Sequence, residues 1–171
     1  MKGIAELEFI ISVFVFITTI SFVTFLIINN IPILHSASVS DGLKSRSYQY
    51  SELLLFDEGA PMNWENDPQS ADRIGLSNGR RYFADKDKID ALASLCFDYQ
   101  LAKEKLALQK EDIVIEVSYL DGAAVSGSSA AICKPPVTTQ LRSQFQITRF
   151  GVLPLPAGTY VVKIKVTIIG D

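Results

Sequence analysis

An uninterrupted apolar run near the amino terminus most constrains what this chain can fold into. Residues 9–28 contain no charge, no glycine and no proline, and all but three of the charged residues lie after position 40. As an α-helix, this run of about 20 residues would extend about 30 Å, the thickness of the hydrocarbon core of a bilayer. Apolar side chains occupy every face of such a helix, and a chain of 171 residues is too small to surround it. We therefore expect a membrane-spanning helix and not a buried core helix.

The rest of the chain has the composition of an ordinary, slightly acidic folded domain. The net charge is −3 and no block of lysine or arginine is present, which argues against a nucleic-acid-binding protein. One histidine, His35, and two cysteines are too few soft ligands for a structural zinc site. Neither a nucleophile–histidine pattern nor a glycine-rich phosphate loop is found. We therefore expect no enzymatic activity, no cofactor and no metal site. The acids of residues 57–72 could supply oxygen ligands for calcium, but we interpret them as solvated side chains: Asp57, Glu58, Glu65, Asp67 and Asp72.

Two familiar interpretations explain the apolar run only in part. A cleaved secretory signal peptide would fit Lys2 and a small-residue site near Ala37, but the run exceeds the usual 7–15 apolar residues. Glu6 and Glu8 also stand where such peptides are basic. A plain membrane anchor fits the length, but it gives these two acids no role at the edge of an apolar helix, where charge is costly.

A third interpretation accounts for the run and its flanking residues together. Lys2-Gly3, followed by Ile4-Ala5-Glu6-Leu7-Glu8-Phe9, resembles the processing site of type IV pilins, especially the archaeal class III signal peptide. The resemblance is closest over residues 1–30. It implies that a prepilin peptidase cuts after Gly3, so that Ile4 becomes the first mature residue and Glu8 the fifth, where the family carries glutamate. Glu6 departs from the commoner pattern, in which that position is small or neutral, and leaves open which acid has the family's role.

The family role of that acid is electrostatic. In assembled filaments of this family the carboxylate pairs with the new α-amino group of a neighbouring subunit. Such an amino group on Ile4 would have a pKa near about 8 and be mostly cationic at neutral pH. Glu8 would lie in the first helical turn, where a negative charge also suits the helix dipole. The alternative is that Glu6 and Glu8 merely cap the helix.

The resemblance also implies a function, partners and a location. The function is that of a structural subunit of an archaeal type IV pilus-like surface filament, assembled through the apolar helix. The partners are identical or related pilin subunits, the prepilin peptidase, an assembly platform protein and the membrane. The chain would be a single-pass membrane precursor and later an extracellular filament subunit. The alternative is a monomeric, membrane-anchored extracellular binding module or adhesin, whose loops at 57–79 and 123–131 contact a ligand.

The fold expected from these patterns is α+β, with a type IV pilin-like amino-terminal helix. Residues 1–3 form the leader, residues 4–56 a long helix kinked near Pro32, and residues 57–171 an extracellular head. Glycines and prolines make residues 57–79 an ordered loop with Trp64 buried beneath it. One helix, capped by residues 87–90, is predicted by apolar residues at spacings of three and four: Leu92, Leu95, Tyr99, Ala102 and Leu106.

The carboxy-terminal part of the head changes to a period of two. Alternating apolar and polar residues predict strands over 113–119, 145–147 and 160–168, with turns at Asp121-Gly122 and at residues 156–158. Residues 123–131 are small and are expected to form a loop. The prediction is an antiparallel sheet of three or more strands with one face on the helix.

The two cysteines are expected to form a disulfide if the head is exported. A domain that follows a membrane-crossing helix on the outer side faces an oxidising environment, where paired cysteines are usual. Cys96 and Cys133 allow a single intramolecular pairing, and their Cα atoms should then lie within about 7 Å. Two buried free thiols are the alternative.

Overall fold

The computed structural model describes residues 2–137 and 142–170, except for the side chains of residues 2–6 and 32–36. The chain forms two compact units, residues 1–38 and residues 39–171. The second unit is an α+β domain with an antiparallel sheet, as expected from the sequence.

The first helix, α1, runs from Lys2 to Phe56 and contributes to both units. Its segment Leu7–Ile31 has a mean hydropathy of 2.6, and no part of this segment is buried. The helix assignment continues through position 32. The predicted kink falls on residues 32–36, whose side chains lie outside the described part, and it stays a prediction.

The end of α1, residues 39–56, is part of the core of the second unit. Its buried residues recur at helical spacing, namely Leu43, Ser47, Ser51, Leu54 and Leu55. The Ser47 hydroxyl donates to the carbonyl oxygen of Phe145 at 3.0 Å. Arg149 donates from Nε to the Ser51 hydroxyl at 3.2 Å, so this part of α1 packs along the strand that carries both residues.

In the part of the chain that the structure describes, the sheet has four strands: β1 (Asp112–Tyr119), β2 (Ala131–Cys133), β3 (Ser143–Leu155) and β4 (Gly158–Gly170). Their order is β2-β1-β4-β3, and every neighbouring pair is antiparallel. The alternation that predicts the strands also identifies the inner face, whose residues on β1 and β4 are fully buried: Ile113, Ile115, Val117, Val162, Ile164, Val166 and Ile168. The β3–β4 hairpin turns through Pro156 and Ala157, as predicted. The fourth strand, β2, starts where the predicted small-residue loop ends, and three residues are too few to show a period.

Two helices replace the single helix predicted after residue 86. Helix α2 spans Lys86–Leu95 and α3 spans Tyr99–Lys105. The chain breaks between them because the Asp98 side chain accepts from the backbone N–H groups of Gln100 and Leu101, which starts a new helix. The cap of α2 is Asp85, two residues before the predicted one. All five residues of the predicted stripe are nevertheless buried.

The predicted disulfide between Cys96 and Cys133 is confirmed. The two Cα atoms lie 5.2 Å apart. Cys96 follows the last residue of α2, and Cys133 is the last residue of β2. The bond therefore holds the shortest strand of the sheet against the helical layer.

Candidate functional site

The apolar part of α1 is the most distinctive surface of the protein. Large apolar side chains are exposed on all sides of Leu7–Ile31, for example Phe9 at 69%, Phe16 at 65% and Phe25 at 63%. A helix of this length extends about 38 Å, which exceeds the bilayer's hydrocarbon core of about 30 Å. By length and composition this helix can cross a membrane.

Four polar side chains within this segment, Ser12, Thr18, Thr19 and Asn30, bond back to the helix itself. The Thr19 hydroxyl donates to the carbonyl oxygen of Val15 at 2.8 Å, and the Asn30 amide donates to that of Leu26 at 2.7 Å. Ser12 and Thr18 make the same kind of bond, to Glu8 and Phe14. Since each of these groups has a partner one turn earlier, the segment suits an apolar environment, in which unpaired polar groups are costly.

The predicted processing residues Lys2, Gly3 and Ile4 lie in the first turns of α1. Their side chains, and that of Glu6, are outside the described part of the structure. Glu8 is described and is exposed at the start of the apolar segment. The cleavage after Gly3 and the pairing of Glu8 or Glu6 with an amine both stay predictions.

In the head, the loop of residues 57–79 is built around Trp64. This side chain is fully buried, as the sequence predicts, and its Nε1 donates to the carbonyl oxygen of Gly75 at 3.0 Å. Gly59 has φ +84°, and a Cβ atom there would collide with the Trp64 ring. Gly75 passes so close to the Asp57 backbone that a side chain would also collide. The glycines of this loop therefore let the backbone close around the indole ring.

A buried lysine, which sequence reasoning missed, fastens the same loop to α2. Lys88 is 3% exposed. Its Nζ donates to the carbonyl oxygens of Glu58 at 2.7 Å and of Ser77 at 3.0 Å. These acceptors stand near the two ends of the loop, so one ammonium group holds both ends to one helix. Apolar spacing cannot reveal such a residue, because a lysine on a helix is most often solvated.

We expect Lys88→Met to lower the free energy of unfolding by about 1–3 kcal/mol, because two buried carbonyl groups lose a charged donor. Limited proteolysis should then cut the loop of residues 57–79 faster. Lys86→Met is the matched control, since Lys86 pairs with the partly exposed Asp90 at the surface of the same helix and should cost less than about 1 kcal/mol. Equal losses for the two variants in urea unfolding would contradict the proposed role of Lys88.

A second network joins α3, β1 and the residue before β3. Asp112 accepts from Lys103 Nζ at 3.0 Å and from Arg142 Nη1 at 2.5 Å. The Tyr99 hydroxyl accepts from the backbone N–H of Ile113 at 2.9 Å. Burial, opposed by the hydrogen bond to the Ile113 backbone, raises the pKa of Tyr99 to about 12. Burial alone would also raise the pKa of Asp112, but the bonds and charges of Lys103 and Arg142 outweigh it and hold that pKa below the ordinary value of an aspartate.

The stability that Asp112 contributes to the folded chain should decrease as the pH is lowered. Because its pKa is lower in the folded chain, this stability is fully present above the ordinary pKa of the carboxyl group and is lost as the pH falls through the folded value. We expect Asp112→Asn to cost about 1–3 kcal/mol at pH 7 and progressively less as the pH falls below about 4. Urea unfolding over a series of pH values measures the difference. A gap that does not shrink as the pH falls below about 4 would contradict this assignment, and Glu104→Gln, an exposed change on α3, controls for net charge.

The described residues contain no group of three or more His, Cys, Asp or Glu side chains that could hold a metal ion. In the loop of residues 57–79, Asp57 pairs with Arg73 at 2.9 Å and also accepts from the backbone N–H of Gly59.

An open groove of about 630 Å³ lies between α2 and the segment that leads into β2. A second groove, of about 590 Å³, lies where α1 meets the loop.

Comparison of the chain with protein-family models, with curated proteins and with solved structures found no match. The function proposed below therefore rests on this chain's own residues and on the resemblance of residues 1–30 to the type IV pilin processing site.

Proposed function

We propose that this protein is a structural subunit of an archaeal type IV pilus-like surface filament, cut by a prepilin peptidase after Gly3 and assembled through its apolar helix. One observation carries the proposal. The exposed apolar segment Leu7–Ile31 begins three residues after Ile4 of the Lys2-Gly3-Ile4 sequence, and it carries Glu8 at its start.

The apolar segment suits both environments that such a subunit occupies. As a precursor it lies in the lipid, and after assembly it packs against the same segment of other subunits. Neither environment supplies hydrogen bonds from water, and Ser12, Thr18, Thr19 and Asn30 do not need them because each bonds to its own helix. Cleavage leaves an ammonium group on Ile4, and an unpaired charge in a bundle of apolar helices costs several kcal/mol. Pairing with Glu8 of a neighbour removes this cost and sets the register between subunits.

The head is then the part that faces outward. The Cys96–Cys133 disulfide supports this location, because such bonds persist in oxidising surroundings. The partners are other pilin subunits, the prepilin peptidase, an assembly platform protein and the membrane. No enzymatic activity and no cofactor are part of the proposal.

A monomeric, membrane-anchored binding module or adhesin is the second candidate. The observation in its favour is the pair of open grooves in the head. One groove is lined by Phe56, Met62 and Arg73, and the other by Phe97 and the small residues 126–129. Both grooves border loops that the sequence marks as candidate ligand contacts.

The amino terminus of the native protein separates these functions. Mass spectrometry of the intact protein from its own membrane should show a chain that begins at Ile4. A chain that begins at Met1 would support the anchored monomer instead. A chain that begins near Ala37 would mean a cleaved secretory peptide, and it would remove the proposed filament core.

A further inference from the structure

The geometry points to a specific contact between heads: the outer edge of β3 pairs with the β2 edge of a second copy, as an antiparallel neighbour. This inference rests on the proposed filament function and names the head surface through which the subunits meet. The contact is heterologous, because two different edges meet, and such contacts build open filaments.

The outer edge of β3 carries a row of backbone groups available for pairing. The Val152 N–H donates to Tyr82 at 2.7 Å, and the Val152 carbonyl accepts from Ala84 at 2.8 Å, so both groups point away from β4. The register between β3 and β4 has no shift. The N–H and C=O groups of every second residue back along the strand therefore also point outward, namely those of Phe150, Thr148, Gln146 and Gln144. Among the described residues, none forms a backbone hydrogen bond with these outward groups.

This edge lacks the features that usually keep a strand from pairing. Natural edge strands are commonly short, bulged, or interrupted by proline or lysine. Between Ser143 and Val152 the strand contains neither proline nor lysine, and its side chains at positions 144, 146, 148 and 150 are exposed. The β2 edge is shorter, with three residues before Pro135-Pro136, so it can pair with only a few residues of β3 and the contact stays limited in length.

The topology explains why the partner is a second copy in the same orientation. The sheet has four strands and every pair is antiparallel, so its two edge strands, β3 and β2, run in opposite directions. Subunits of a polar filament all run in the same sense. A neighbouring subunit therefore presents its β2 edge antiparallel to β3 without being turned over. Residues 126–131, which lead into β2, are serine, glycine and alanine, and such small side chains let another backbone approach.

Side chains beside the two edges complement each other. The groove of about 630 Å³ lies beside β2 on the helix-covered face of the sheet, and it is lined by Ser94, Ser128 and Phe97. Phe97 is 93% exposed. On the same face beside β3, Tyr48 is 46% exposed, and its ring lies 5.5 Å from the Arg149 guanidinium. Pairing of the two edges would bring Tyr48 of one copy to the groove and to Phe97 of the next, which would remove both rings from water.

Amide hydrogen exchange on the full chain tests the contact directly. We expect the Gln146 and Thr148 amides to exchange at least about tenfold more slowly in assembled filaments than in the detergent-dispersed chain. The Ile147 amide faces β4 and is an internal control, because it is protected in both states. Filaments in which Gln146 and Thr148 exchange as fast as in detergent would overturn the edge contact and leave the filament function standing. A wild-type chain that never assembles would overturn both.

A proline substitution provides the second test. Thr148→Pro removes one outward N–H, and proline is tolerated on an edge strand where that group faces solvent. We expect filament yield to fall at least about tenfold, whereas Thr148→Val should stay within about twofold of wild type. Phe97→Ala should also lower the yield, because this exposed ring contributes through the contact alone. Filaments of normal yield from Thr148→Pro would refute the inference. Detection of the Cys96–Cys133 disulfide and of cleavage after Gly3 shows that each variant is folded and processed.

Discussion

Gly3→Val is expected to leave the uncut precursor in the membrane and to reduce the mature form from nearly all of the protein to nearly none. A peptidase that accepts glycine at its cut site requires a backbone with no side chain in the way. Valine is branched at Cβ, so its bulk lies next to the scissile bond. Immunoblots and intact masses of membrane fractions distinguish the precursor from a chain that begins at Ile4.

The control for this variant is Leu7→Val, which places the same side chain within the apolar segment. This control should be cut normally, because position 7 lies three residues beyond Ile4, away from the bond that is cut, and valine is also apolar. Mature protein of normal mass and amount from Gly3→Val would mean that the cut lies elsewhere. The proposed first mature residue, Ile4, would then be wrong.

Glu8→Leu is expected to permit cleavage and membrane insertion but to abolish most filament formation. The leucine makes the segment more apolar, so insertion does not suffer. In the assembled core, however, the ammonium group on Ile4 of a neighbour would lose its carboxylate. An unpaired charge in such a bundle costs several kcal/mol for each subunit. The ratio of sheared filaments to membrane-bound subunits measures the effect.

Glu6→Ala is the matched variant, because Glu6 is the other acid before the apolar run. We expect it to assemble at a yield near that of wild type. Normal yield from Glu8→Leu would remove the role proposed for that carboxylate. Equal defects in both variants would mean that the two acids share the pairing with the amine.

Sequence patterns were sufficient to predict a structural element where one physical requirement acts on residues that are neighbours along the chain. The apolar run identifies the exposed helix because it contains no charge, glycine or proline and its length matches a bilayer. The alternation of residues 160–168 identifies β4 and its buried face, since a strand turns every second side chain inward. Trp64 is identifiable as buried because the glycines around it make room for a large ring. The disulfide was predicted from two cysteines and from the expectation that the domain is exported, and the bond itself is present.

Apolar spacing was not sufficient where a polar cap or a distant residue decides the outcome. The stripe from Leu92 to Leu106 is continuous in spacing, yet the chain breaks at Asp98, because a side-chain cap there competes with continuation of the helix. Strand β2 is too short to show a period, and it is held by β1 and by the bond from Cys133 to Cys96.

The sequence by itself determined the apolar helix, the main strands and the candidate processing site, because each depends on residues adjacent along the chain. Only the tertiary structure decided that Lys88 is buried between two carbonyl groups, that Asp112 joins α3 to Arg142, and that β3 lies at an open edge. The reason is physical. Burial of a charge depends on acceptors contributed by other elements, and an edge is defined by which strands pair. Both depend on contacts between residues far apart in sequence, which no local pattern contains.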